Sequence, residues 1–266
     1  MRKRMEIAIL VVVVLIMSSS CQTITYAQSV WGPHLIQTTD YQDEYCGALR
    51  LGLLEATAQE SADIEQVEEL VSACIVRIHC GDSVGSGIVL DLTEDNVVIV
   101  SNAHLLQNDV KCAIDFLQGF SADGEIVSYA EQYDMAFVKV PLQNIPMQQW
   151  ECLRYVDKWI DFEQVTEGDA IVQIGSSQSV AGDCYRGGIL KKKQYVPDYG
   201  SEMMRAGCQA YTGMSGGGVF DNKGHLIGMI TAGDMTQNTR EDGTEITYSI
   251  TIDVILEELY SVISCF

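Results

Sequence analysis

The sequence predicts a mainly β protein, a barrel or a pair of packed sheets, entered through a helical segment and closed by a helix. Three observations predict it. From Cys74 onward, short β-branched runs recur between Gly, Asn and Asp turn signals. Before that point, Leu49 to Val71 is rich in Ala, Leu, Glu and Gln and carries Leu53, Leu54, Ile64, Val67, Leu70 and Val71 at helical intervals. After it, Val254 to Ile263 repeats the i, i+3, i+4 spacing of a helix.

Composition bounds the reading. With 266 residues, 47% hydrophobic and 20% charged, the chain is of globular type, which excludes disordered, collagen-like and polytopic membrane classes. Against 37 Asp and Glu stand 16 Lys and Arg, a formal charge of -21. A phosphate backbone is repelled by such a surface, so nucleic acid is excluded as a partner and the acidic excess is read as a solvated face.

The chain begins Met1-Arg-Lys-Arg and continues into eleven apolar residues, Ile7 to Met17, too short to span a bilayer comfortably. With the small-residue exit Thr25-Tyr26-Ala27, this is the pattern of an export signal over residues 1–27, cleaved before Gln28. An uncleaved membrane anchor and lipidation at Cys21 remain open alternatives. Either would make the N-terminus the one route to a membrane. Export places the protein outside the cytoplasm, secreted or held at the cell surface, where cysteines favour disulfides. Nine cysteines are present, and eight remain after residue 27. No CxxC pair occurs, so the spacing offers no zinc site; EF-hand, P-loop and dinucleotide motifs are missing too, and neither metal nor cofactor is expected.

Residues 28–70 are then a helical lead-in: a docking helix, a pro-segment or a spacer. Docking is the default, because an amphipathic face needs a partner to bury it. The predicted strands follow in order: Ile75–His79, Gly87–Leu90, Val97–Val100, Lys111–Phe116 and Ala136–Val140, then Ala170–Ile174, Gly188–Lys192, Gly218–Phe220, Leu226–Ile230 and Ile246–Ile250. Asp221-Asn222-Lys223-Gly224 and Glu241-Asp242-Gly243-Thr244 supply hairpin turns.

Three segments on this frame carry chemistry. Val97 to Val100 delivers Ser101-Asn102-Ala103-His104 just past a strand end, Tyr133-Asp134 precedes a buried strand, and Thr212-Gly213-Met214-Ser215-Gly216-Gly217-Gly218 surrounds a serine with glycine. Singly, these are a core histidine, a turn acid and a tight turn. Jointly, in the order His, Asp, Ser, they supply what a serine nucleophile needs. A hydroxyl at neutral pH requires a base to take its proton, and His104 can be that base and later return the proton to a leaving amine. Asp134 can fix the imidazole tautomer and stabilise the imidazolium. The N–H groups of Gly213 and Ser215 can face the developing oxyanion. The Gly213–Gly217 segment also matches the GxSxG elbow of α/β-hydrolases, but there acid and histidine follow the serine. The only later histidine is His225, ten residues on, so that fold is set aside; His79 and His225 read as strand-end residues and His34 is given no task.

These residues resemble the trypsin-like (chymotrypsin-fold) serine endopeptidases, closest to the bacterial Deg/HtrA type, over roughly Val71 to Val254. The resemblance rests on Gly85-Ser86-Gly87, on Ser101-Asn102-Ala103-His104 for the family's TAAH, on the Asp134 strand and on Gly213-Met214-Ser215-Gly216-Gly217. It implies two six-stranded antiparallel β-barrels within a domain over 71–266, with His104 and Asp134 in the first barrel, Ser215 in the second, and the established triad mechanism. It implies a pocket position for Gln209, whose neutrality argues against basic side chains, and a substrate-pairing strand at Thr231 and Gly233. It further implies that Cys184 and Cys208 lie on neighbouring strands as a candidate disulfide. Met214 stands where the family often has Asp or Asn, which argues against activation by a freed N-terminus. The 51 residues after Ser215 leave no room for the PDZ module usual in Deg/HtrA proteases. The expected function is a secreted serine endopeptidase acting on protein or peptide substrates; the alternative is a catalytically silent protein that binds peptides on the same scaffold.

Overall fold

The computed structural model describes residues 38–60, 63–107, 109–177, 182–233 and 245–266. The export signal, Cys21, His34 and the Glu241–Thr244 turn lie outside these residues.

Two closed six-stranded barrels carry the fold, as the resemblance implies. The first is ordered β2-β3-β4-β7-β6-β5, from β2 (Ile75–Cys80), β3 (Ser83–Leu92), β4 (Asn96–Ser101), β5 (Lys111–Phe116), β6 (Phe120–Tyr129) and β7 (Ala136–Pro141). The second is ordered β10-β11-β14-β13-β12-β9, from β9 (Ala170–Gly175), β10 (Asp183–Val196), β11 (Ser201–Gly207), β12 (Gly218–Asp221), β13 (Leu226–Gly233) and β14 (Ile246–Thr251). All ladders within the barrels are antiparallel, and closure leaves neither sheet a free edge. A separate short parallel pair joins β1 (Glu55–Ala56) to β8 (Tyr155–Val156).

Alternation fills each interior. In the first barrel Val76, Ile78, Ile99, Ile114 and Val138 point inward, all 1% exposed or less. In the second, the register puts Ile171, Gln173, Met204, Ala206 and Val219 on the inner face, where Gln173 Nε2 donates to Thr247 Oγ1 at 2.7 Å, while Val172, Ile174 and Met229 are buried on the opposite face. Two barrel strands escape the sequence reading. β6 carries Ser121, Ala122, Asp123, Gly124 and Glu125, residues poor in β propensity, and its inward Gly124 is fitted to the space left by Val138 and Ile114. β11 is Ser-Glu-Met-Met-Arg-Ala-Gly, held by pairing with β10 and β14 rather than by composition.

The lead-in is two helices rather than one. Helix α1 (Thr38–Arg50) ends in a turn with Gly52 at φ +69°, and α2 (Ile64–Ser72) starts afresh at Asp63, whose side chain accepts from Gln66 N–H in a reciprocal capping box. The predicted single helical run from Leu49 to Val71 is corrected accordingly. Both helices dock. Tyr45 of α1 is fully buried, sets its ring edge-on to Trp150 at 5.5 Å and donates its hydroxyl to Thr93 O. Val67 and Val71 of α2 are buried in the apolar cluster shared by the two barrels, while Arg186 pairs with Glu65 at 2.8 Å. Between them Gln59 N–H donates to Lys223 O, and Ala58 N–H to Asp157 Oδ2.

Deleting residues 28–67 therefore strips buried Tyr45, Leu54, Ala56 and Val67 from the barrels. At about 1.5–3 kcal/mol for each large apolar side chain, the expected result is a fall in melting temperature of more than about 10 °C. An unchanged melting temperature would show that these contacts carry no stability. Helix α4 (Ile252–Val262) closes the chain with Ile252, Ile255 and Leu259 buried, close to the predicted Val254–Ile263.

No disulfide joins the eight described cysteines, so the expected bridges are not found. The Cys184–Cys208 pairing fails on register. A Cβ placed on Gly187 would sit 2.7 Å from Cys208 Cβ, so Cys208 faces Gly187, three residues along the strand from Cys184. Three strand residues span about 10 Å, beyond the reach of a disulfide.

Candidate active site

His104 enters through backbone geometry. Strand β4 ends at Ser101, Asn102 caps the one-turn helix α3 (Ala103–Leu106), and the imidazole leaves its first turn. Asp134, just before β7, takes two hydrogen bonds from that turn: His104 N–H to Oδ1 at 2.9 Å, and Nδ1 to Oδ2 at 2.6 Å. A carboxylate only accepts, so Nδ1 carries the hydrogen and Nε2 is left as an acceptor. The His104 side chain is 47% exposed and that of Asp134 17%, an open base on a covered acid.

Asn102, which the sequence reading quoted without a role of its own, links parts of the site. It is fully buried, and its Nδ2 donates to Asp134 O at 2.8 Å and to Thr231 Oγ1 at 3.3 Å. Thr231, expected on the substrate-pairing strand, lies in β13 beside these residues. Its carbonyl accepts from Ser215 Oγ at 3.5 Å, a long bond, so Thr231 links Ser215 to Asn102 and, through Asn102, to Asp134. Among the described residues no hydrogen bond joins Ser215 to His104; the hydroxyl rests on Thr231.

The nucleophile loop is a tight turn. Met214 N–H donates to Tyr211 O at 2.9 Å with Gly213 at φ +101°, the positive dihedral that a type II turn requires at its third residue. Met214 is buried, and its Sδ accepts Tyr211 N–H at 3.3 Å, closing the turn from its other side. The N–H groups of Gly213 and Ser215 meet no acceptor among the described residues, which leaves two donors for an incoming oxygen. Gly216 (φ +85°) follows, its N–H on Ile230 O at 2.8 Å.

Of the other expected residues, Gln209 is exposed just beyond β11, and Gly233 ends β13 opposite Thr247. Tyr199, in the β10–β11 hairpin, was not anticipated. Burial, then the charges of Asp134 and Asp198, push its phenol above the usual range. Burial also pushes the Cys208 thiol, near the loop, up to about 12. It stays protonated and is no rival nucleophile. His79 pairs with Asp115 at 2.9 Å and His225 with Asp221 at 2.8 Å, both apart from this centre. Among the described residues no cluster of His, Cys, Asp and Glu could hold a metal ion.

A two-barrel fold with a histidine–aspartate pair, a serine and a glycine turn at the seam defines the trypsin-like class. Residues 85–229 match the trypsin-like peptidase domain, and the chain belongs to that family. It is 26% identical over 174 residues to the putative serine protease HhoA of Synechocystis, covering 64% of this chain and 40% of that one. It is 24% identical over 170 residues to a probable periplasmic DegP-like serine endoprotease of Buchnera aphidicola, covering 61% and 33%. The chain thus matches well under half the length of these relatives. In fold it is similar to the Rv3671c protease in its inactive form (TM-score 0.59, 16% identity, 77% of this chain and 97% of that one). The HtrA-type protease AlgW, solved with a decapeptide, gives a TM-score of 0.61 at 16% identity, covering 76% and 68%.

Proposed function

We propose that this protein is an exported serine endopeptidase that cuts protein or peptide substrates through an acyl-enzyme on Ser215. The observation that carries the reading is the two-point hold of Asp134 on His104, which fixes the ring with Nε2 free to accept. Rotation of the Ser215 hydroxyl from Thr231 O toward Nε2 starts the reaction. His104 takes the proton as Oγ attacks the scissile carbonyl, Asp134 stabilises the imidazolium, and the Gly213 and Ser215 N–H groups receive the oxyanion. His104 then protonates the leaving amine, and water repeats the sequence to free the acid. No metal or cofactor is called on.

The division into an export signal over 1–27, a lead-in over 28–70 and a protease domain over 71–266 belongs to the same proposal, with the lead-in docked as a structural element. Support for export is the N-terminal pattern and the periplasmic assignment in the name of the Buchnera relative. Among the described residues no helix is long and apolar enough to cross a membrane. The rest position of Ser215 on Thr231 favours one other reading, a silent peptide-binding protein.

Labelling with a fluorophosphonate separates the two. The expected result is a single adduct, mapped by mass spectrometry to Ser215 and lost in Ser215→Ala. No adduct on the folded protein would leave the binding reading.

A further inference from the structure

The geometry points to Ser86 as a positioning residue that sets the oxyanion turn against the strand carrying the base. This rests on the proposed function and adds a residue to it. Ser86 lies in β3 of the first barrel and is fully buried, yet its polar atoms reach the second barrel. Its N–H donates to Ser215 O at 2.8 Å, and its Oγ donates to Gly213 O at 2.7 Å while accepting Ser176 N–H at 2.8 Å. Its carbonyl accepts from Ser101 Oγ at 2.6 Å, three residues before His104.

The two carbonyls gripped by Ser86 flank Met214. Gly213 O fixes the peptide plane between residues 213 and 214, and Ser215 O fixes the plane after the nucleophile. The N–H groups expected to receive the oxyanion belong to the peptides immediately before each of these. A rotation of either gripped plane would break a buried hydrogen bond, and a buried polar group left unpaired is expensive. Ser101 extends the hold to β4, so one residue ties base, nucleophile and oxyanion donors into one frame. Catalysis by prearranged dipoles requires such a frame, because donors gain nothing if they must be oriented during the reaction.

Ser86→Ala keeps the backbone bond to Ser215 and removes the hydroxyl alone. Activity is measured per fluorophosphonate-titrated site, alongside binding of a peptide boronate, which forms a tetrahedral adduct on the serine. The expected result is a fall in kcat of about tenfold to a hundredfold with KM unchanged, and a matching loss of boronate affinity. Should Ser86→Ala not fold, Ser101→Ala, which frees only the Ser86 carbonyl, is expected to show the same split at smaller size. Wild-type kcat and boronate affinity per titrated site in the folded variant overturn the role, even if the melting temperature falls. A wild-type protein that takes no label overturns the hydrolase reading and this proposal with it, so the two failures are distinct.

Discussion

Asp134→Asn is expected to lower kcat by on the order of 10⁴-fold, with the fold intact and KM little changed. The reason lies in the second hydrogen bond. An asparagine offers one oxygen and one amide nitrogen where the carboxylate offers two acceptors. The His104 backbone N–H, now 2.9 Å from Oδ1, claims the oxygen because a donor cannot face the NH₂ group. The NH₂ group must then face Nδ1, now 2.6 Å from Oδ2. Nδ1 becomes an acceptor, the hydrogen moves to Nε2, and the ring can no longer take the Ser215 proton. Steady-state kinetics with a peptide substrate checks this; a loss smaller than tenfold would mean that Asp134 does not set the tautomer.

Gly216→Ala is expected to cost about 3 kcal/mol or more, combining left-handed backbone strain with overpacking, and to abolish labelling at Ser215. An added Cβ would lie 2.1 Å from the Ser86 carbonyl oxygen and 2.6 Å from Ser101 Oγ, at a residue with φ +85°. Neither neighbour can retreat, since both are fixed in the first barrel. The barrels must part or the loop must refold. Gly200→Ala is the control: φ is +63°, but nothing lies within 4 Å, so strain alone applies. Thermal melts should place Gly216→Ala about 10 °C below wild type and Gly200→Ala much nearer to it. Equal shifts would show that crowding at the seam is unimportant.

What could be read in the sequence is what local pattern encodes. β2, β5 and β7 stand within a residue or so of their predicted ends because β-branched runs with flanking turn residues are local signals. β11 and the Ser121–Glu125 stretch of β6 were invisible because their residues are poor strand formers and closure of the barrels recruits them. The break at Gly52 in the lead-in was missed because the apolar spacing continues across it. At the site, His104, Asp134 and Ser215 were legible as types in order; the structure joins His104 to Asp134, while the Ser215 hydroxyl rests on Thr231 O. The parts that tie them were not legible. Ser86, Asn102 and Ser176 act across barrels, and only packing reveals which small polar residue meets which carbonyl. The Cys184–Cys208 expectation failed for the same reason, since an offset of three residues cannot be seen without the register.

The sulfur of Met214 closes the nucleophile turn with a group that carries no charge and no proton to lose. A turn held by an ion pair would open on either side of two titrations, and one waiting for a new ammonium would open until the chain was cut. Here the latch is complete once the protein has folded, at any pH that leaves the barrels intact. This turn therefore needs neither an ionised side chain nor a newly freed ammonium to hold its shape.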